Sequence, residues 1–284
     1  MLLTQKSAIS FLGIVAFALL LPGPAASAQT AEDVLARHLA AVGGRKALER
    51  IKDKVETWTV TVDAFGNISK GKLEVKVMQP DVILWTLQLE VAGQPFHAIR
   101  GFDGKTAWQE DQGIASPLEG PELTELRNLA LRTIGGELLW AEQSGAKIEM
   151  NGTTDLEGET ALVVETAPKE GFKLTYYLDP KTYLVLGFSG TTIQQGMKAE
   201  LDVRVTSYRE VEGVRVPEKL SVKALVPDMG IEMAYRMELD SVKFNSGLDR
   251  SDFVNPFGQG NQEPDVETMG APEPKPGGKK RAWY

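Results

Sequence analysis

From residue 30 onward the apolar positions first recur at helical spacing and then change period. Val34, Leu35, Leu39 and Val42 share one face of a predicted helix, with Thr30 placed to cap it, Glu32 and Asp33 in its first turn and Gly43-Gly44 to stop it. A second short helical piece over 45–51 repeats the spacing through Leu48 and Ile51. From Glu56 the alternation has period two. Trp58, Val60 and Val62 share one strand face, Leu73, Val75 and Val77 another, and Ile83, Trp85, Leu87, Leu89 and Val91 extend the series. Phe65-Gly66-Asn67, Gln79-Pro80-Asp81 and Gly93-Gln94-Pro95 read as turns, and Asp103-Gly104 as a hairpin reversal supplying positive φ angles. One helical stretch interrupts the strands after Pro117 and Pro121: Leu123, Leu126, Leu129, Ala130 and Ile134 recur every three or four residues and end at Gly135-Gly136. Strands resume over 147–150, 161–166, 173–178, 183–192, 199–208, 216–226 and 231–244. About a dozen strands joined by tight turns predict an antiparallel meander that curls or closes, not β-α-β winding.

Both ends read differently from the body. Lys6, an apolar run from Ala8 to Leu21 and the small-x-small pattern Ala26-Ser27-Ala28 predict a secretory signal peptide over 1–28, and Pro22 and Pro24 close a run too short to span a bilayer. No cysteine follows the cleavage point, so the expectation is export to the periplasm without a lipid anchor. Residues 256–284 are rich in Pro, Gly and charge and read as a disordered tail. Its end, Lys279-Lys280-Arg281-Ala282-Trp283-Tyr284, suits an anionic membrane surface or simply keeps the chain soluble. The expected body is one domain over 29–255.

Composition narrows the chemistry. With 31 Lys plus Arg against 39 Asp plus Glu, the 284-residue chain carries a net charge of −8 and no basic stripe, which argues against nucleic acid as a partner. It has no cysteine and only two histidines, His38 and His97, on different kinds of element. No thiolate nucleophile, zinc ribbon, Gly-x-Ser-x-Gly elbow or phosphate loop is present, and no cofactor, metal or catalytic residue is assigned. Binding fares better. Met233, Tyr235 and Met237 lie on one strand face, and Trp58, Trp85 and Trp108 fall on separate strands among apolar neighbours, where they can line one hollow or form ordinary core.

Four segments carry a resemblance. Gly71-Lys72-Leu73-Glu74-Val75-Lys76-Val77-Met78-Gln79-Pro80, followed by Trp85 and then Phe102-Asp103-Gly104-Lys105-Thr106-Ala107-Trp108, resembles the outer-membrane lipoprotein-sorting carriers of the LolA/LolB type. Thr175-Tyr176-Tyr177-Leu178-Asp179-Pro180-Lys181-Thr182-Tyr183-Leu184 and Ser207-Tyr208-Arg209-Glu210-Val211-Glu212-Gly213-Val214-Arg215-Val216-Pro217 resemble the broader sorting-related group. The resemblance implies a mainly β fold, an incomplete antiparallel β-barrel covered by α-helices, with an apolar cavity for acyl chains. On that basis the cavity is expected among Trp58, Val60, Val62, Leu73, Val75, Val77, Trp85, Leu87, Leu89, Trp108, Leu201, Val203, Met233, Tyr235 and Met237. The lid is expected at Leu35, Leu39, Leu123, Leu126, Leu129 and Ile134. It implies a monomeric, non-catalytic periplasmic carrier of lipid or lipidated protein, exchanging cargo with membrane-bound donor or acceptor proteins. The alternative is a sensor that reports envelope lipid state to a signalling partner; a hydrolase using His97 is a third reading. In the carriers a basic residue precedes the proline of the second strand motif and helps to hold the lid, whereas here that place is Gln79.

Overall fold

A computed structural model describes residues 29–194, 196–253 and 255; the expected signal peptide and tail lie outside them. The chain opens with two short helices, α1 (Ala31–Ala41) and α2 (Arg45–Glu49), followed by six strands: β1 (Asp53–Ala64), β2 (Asn67–Met78), β3 (Val82–Val91), β4 (Gln94–Phe102), β5 (Ala107–Asp111) and β6 (Ile114–Leu118). Helices α3 (Gly120–Gly135) and α4 (Leu139–Gln143) come next. Seven more strands complete the fold: β7 (Lys147–Leu156), β8 (Glu159–Ala167), β9 (Leu174–Leu178), β10 (Val185–Gln194), β11 (Met197–Val211), β12 (Val214–Val226) and β13 (Ile231–Phe244).

All thirteen strands form one antiparallel sheet in the order β6-β5-β4-β3-β2-β1-β13-β12-β11-β10-β9-β8-β7. Every neighbouring pair is consecutive in sequence except β1 and β13, which close the middle of the sheet. The edges β6 and β7 do not pair, so the sheet is curled but open, and the chain between those edges is α3 and α4.

Period-two alternation decides which side chains turn inward. Trp58 lies opposite Leu73 on one side and Leu239 on the other, and Val75 opposite Trp85. The inward row continues through Met237 opposite Leu220, Val203 opposite Phe188, Phe188 opposite Tyr176 and Tyr176 opposite Val164. The apolar faces of α1, α3 and α4 pack on this concave surface in one hydrophobic core.

The turns follow their chemistry with one exception. Phe65 and Gly66 both take positive φ, as a two-residue reversal requires. At Asp103-Gly104 only Gly104 has positive φ. Asp103 acts through its carboxylate instead, accepting from the backbone N–H groups of Lys105 and Thr106 at 2.8 Å each. The four-residue turn sets the register of the next strand.

Candidate functional site

Under the helices the concave face leaves a cavity of about 250 Å³. Its apolar wall is Trp58, Leu73, Val75, Ile83 and Trp85 from β1 to β3, with Leu220 and Met237 from β12 and β13. Leu39 of α1, Val42 just beyond its end, Leu48 of α2 and Leu129 and Ile134 of α3 close it.

One side of the cavity is charged. Lys54 Nζ pairs with Glu56 Oε1 at 2.8 Å, both side chains only 11% exposed, and Trp58 Nε1 donates to the other Glu56 oxygen at 3.2 Å. Both residues share the inward phase of Trp58, so strand geometry turns the pair into the hollow. Arg132 of α3 and Glu137, in the link between α3 and α4, line the same space. Burial pushes the Glu137 carboxyl above the usual range, against the opposing pull of Arg132 and Lys54, and Tyr176 hydrogen-bonds it. The Tyr176 hydroxyl also accepts from Trp140 Nε1 at 3.3 Å. Tyr208 donates to the Val185 carbonyl at 2.8 Å, and burial followed by the Glu137 charge pushes its own ionisation up.

The covering helices are seated in different ways. His38 of α1 is buried with its Nδ1 2.9 Å from the Tyr183 carbonyl, and burial lowers its pKa, so the ring is neutral and Nδ1–H donates. Gln29 and Arg37 hold the Tyr183 hydroxyl at 2.7 and 3.0 Å, and the Arg215 N–H donates to the Val42 carbonyl at 3.0 Å. Gly43, at φ +121°, brings this junction so close that a Cβ there would stand 2.4 Å from the Gly213 carbonyl oxygen. Helix α3 is tied by its side chains. Arg127 Nε meets Asp81 at 2.8 Å, Asn128 donates to the Glu170 carbonyl at 3.0 Å, and Glu122 and Glu125 accept from the Gly196 and Phe172 N–H groups at 2.9 and 3.0 Å. Outside α3 runs a second cleft of about 620 Å³, lined by Leu123, Arg127 and Asn128 together with Pro80, Asp81 and residues 168–170.

Of the expected cavity residues, Trp58, Leu73, Val75, Trp85 and Met237 line the hollow. Val60, Val62, Val77, Leu87, Leu89, Leu201, Val203, Met233 and Tyr235 stand in register on the same concave face beyond it. Trp108 does not join them. It pairs with Gly101, whose other neighbour is Leu84 and not Trp85, so its ring lies over Gly101 on the opposite face, fully buried. Of the lid residues, Leu39, Leu129 and Ile134 close the cavity, Leu35 and Leu126 are buried in the core beside it, and Leu123 faces the outer cleft. His97 lies on β4, with Nδ1 3.7 Å from Glu110, whereas His38 lies on α1. Gln79 holds the segment after α2, donating from Nε2 to the Ile51 carbonyl at 2.7 Å. The tie from this turn to α3 comes two residues later, with the acid on the turn as Asp81 and the base on the helix as Arg127.

Pattern reading overlooked Lys54, Glu56, Arg132, Glu137 and Tyr208. The signal for the first two was present, since 54 and 56 share the parity of Trp58.

No family model and no curated protein sequence matches the chain. Solved structures do. A LolA superfamily protein from Nitrosomonas europaea superposes with a TM-score of 0.53 at 10% identity, over 81% of this chain and 100% of that one. A DUF1329 family protein from Desulfovibrio piger gives 0.50 at 10% identity, over 79% and 97%. The likeness is one of architecture: this chain has the LolA-like fold, a mostly antiparallel sheet, curled and open, with helices on its concave face.

Proposed function

We propose that the protein is a non-catalytic periplasmic carrier or binder of acyl chains, borne by a lipidated protein or by another lipid. The supporting observation is the cavity: a largely apolar wall built from five strands and roofed by a helix that has empty space on both sides.

Magnitudes shape the mechanism. An acyl chain of about fourteen methylenes, at ~0.8 kcal/mol each, gains roughly 11 kcal/mol on leaving water, and a membrane offers the same reward. Tight binding alone therefore moves nothing. Handover needs a cover with two states, open at donor or acceptor and closed in transit. The cavity of about 250 Å³ lies below the ~300–1,000 Å³ of typical ligand pockets, so a long chain enters only as the roof lifts. Helix α3 is the roof that can lift into the outer cleft.

The test is direct. Gentle purification, denaturation and mass spectrometry of the extract should release lipid, and the delipidated protein should take up a fluorescent acyl probe. Empty preparations together with no uptake would sink the reading. A delipidated domain that keeps a protein partner yet transfers no cargo between vesicles would favour a sensor.

A further inference from the structure

Arg132 is a half-buried charge of the cavity lining that neither a hydrogen bond nor an ion pair holds, whereas Arg215, also on the lining, is exposed. Arg132 projects from α3 into the hollow with its guanidinium 5.8 Å from the centre of the Trp140 ring. Among the described residues it makes no hydrogen bond, and no carboxylate stands within ion-pair reach of it. Lys54 and the carboxylates of the lining are committed: Lys54 to Glu56 at 2.8 Å, Glu137 to Tyr176. Two carboxyls feel the Arg132 charge at a distance, Glu125 of α3 and Glu137, and burial pushes both towards their neutral forms. A second arginine repeats the theme. Arg100 stands on the concave face opposite Trp85, and its buried Nε has no partner.

Burying charged groups beside an apolar wall costs stability, and even a well-made internal ion pair seldom repays its desolvation. Apolar residues of similar size would serve a store for bare hydrocarbon better. A planar guanidinium with free donors is suited to a carboxylate or phosphate, which it meets through two parallel hydrogen bonds.

We propose that the cavity takes an amphiphile with an anionic head, the acid group seated on Arg132 and the tail laid along Trp58, Trp85 and Met237. This rests on the carrier reading and narrows its cargo: the polar end enters the protein and is not left at the mouth.

Calorimetric titration with four ten-carbon probes below their micelle concentrations separates the possibilities: decanoate, decyl phosphate, decanol and decyltrimethylammonium. The unaltered protein should bind the better of the two acids about tenfold more tightly than decanol, the scale of one charge-assisted hydrogen-bonded contact, and should bind the cation least. Whichever acid binds more tightly identifies the head as carboxylate or phosphate. In Arg132→Gln the preference for acid over alcohol should vanish while decanol binding stays, and Arg132→Lys should keep part of it. Equal binding of acids and decanol by the unaltered protein, or equal weakening of both by Arg132→Gln, would overturn the head-group assignment. Failure of all four probes, and of long-chain acyl probes too, would instead overturn the carrier reading. Should Arg132→Gln fail to fold, the acid-to-alcohol ratio of the unaltered protein decides the matter by itself.

Discussion

Helices α1 and α3 cover the same hollow, yet they are fastened differently, one by its buried face and a backbone hydrogen bond at its end, the other by side-chain ties to loops. The first turns Val34, Leu35, His38 and Leu39 into the core and is fixed at its end by a backbone hydrogen bond from Arg215 to Val42. The second touches the sheet through apolar side chains, and its polar ties are side-chain contacts at loops, two of them solvent-exposed. It also has a void on each face, about 250 Å³ inside and about 620 Å³ outside. Atoms beside a void forgo dispersion contacts, so the side chains of α3 that face either space lose little packing when they move. On the proposed carrier reading, the two-helix lid expected from the sequence divides into two parts, with α1 as frame and α3 as door.

The sharpest way to break this comparison is to remove one cavity-lining leucine from each helix. Leu39→Ala should lower the urea-derived unfolding free energy by about 3 kcal/mol, and Leu129→Ala, half-buried over the cavity, by about 1 kcal/mol. Equal losses would mean that both helices are frame. Native-state hydrogen exchange gives the same contrast amide by amide: α1 should exchange only near global unfolding, and α3 through a local opening that costs less. Slower exchange in α3 than in α1 would reverse the assignment.

Acidity separates the two helices by sign. His38 has its pKa lowered by burial, so the stability it contributes is present above its ordinary value of 6.5 and is lost as pH falls towards the folded value. Glu125 and Glu137 are raised above 4.5 by burial, so their contribution is full in acid and is lost as pH rises through the folded values. Urea midpoints measured against pH should therefore flatten on the acid side in His38→Leu and on the less acidic side in Glu137→Gln. A pH profile unchanged in both variants would remove electrostatics from the comparison. The smallest effect expected is that of Arg127→Ala, which unfastens α3 from Asp81. Stability should change by less than about 1 kcal/mol, since the arginine is largely exposed, while an acyl probe enters faster.

How far the sequence carried these conclusions depended on which physical signal each residue gave. The strands from β1 to β3 and β13 were legible because half-buried strands alternate, and the alternation of Trp58, Val60 and Val62 had no competing period. The face of Trp108 was not legible. It depends on the register across the turn at Asp103–Thr106, and a shift of one residue moves a side chain through the sheet. Its partner Gly101 was the available clue, because a strand glycine leaves the space that an indole ring fills. Helix α4 escaped because Leu138 to Ala141 is a short apolar run, for which period cannot tell helix from strand. The charged side of the cavity was missed for a different reason. Reading only hydrophobic positions treats Lys54, Glu56 and Arg132 as solvent-facing, although their phase points inward.

The strand order has a consequence for how the chain assembles. Twelve strand-to-strand ladders make up the sheet, and eleven join consecutive strands, which find each other by local hairpin closure. The remaining one, where Lys54 meets Phe244, joins two ends of the chain that diffuse separately until both half-sheets exist. By sequence separation, two β-meanders should form first and the β1–β13 seam should join them last. A nick between α4 and β7 should leave two fragments that reassemble along the β1–β13 seam, with the cavity forming only when they do.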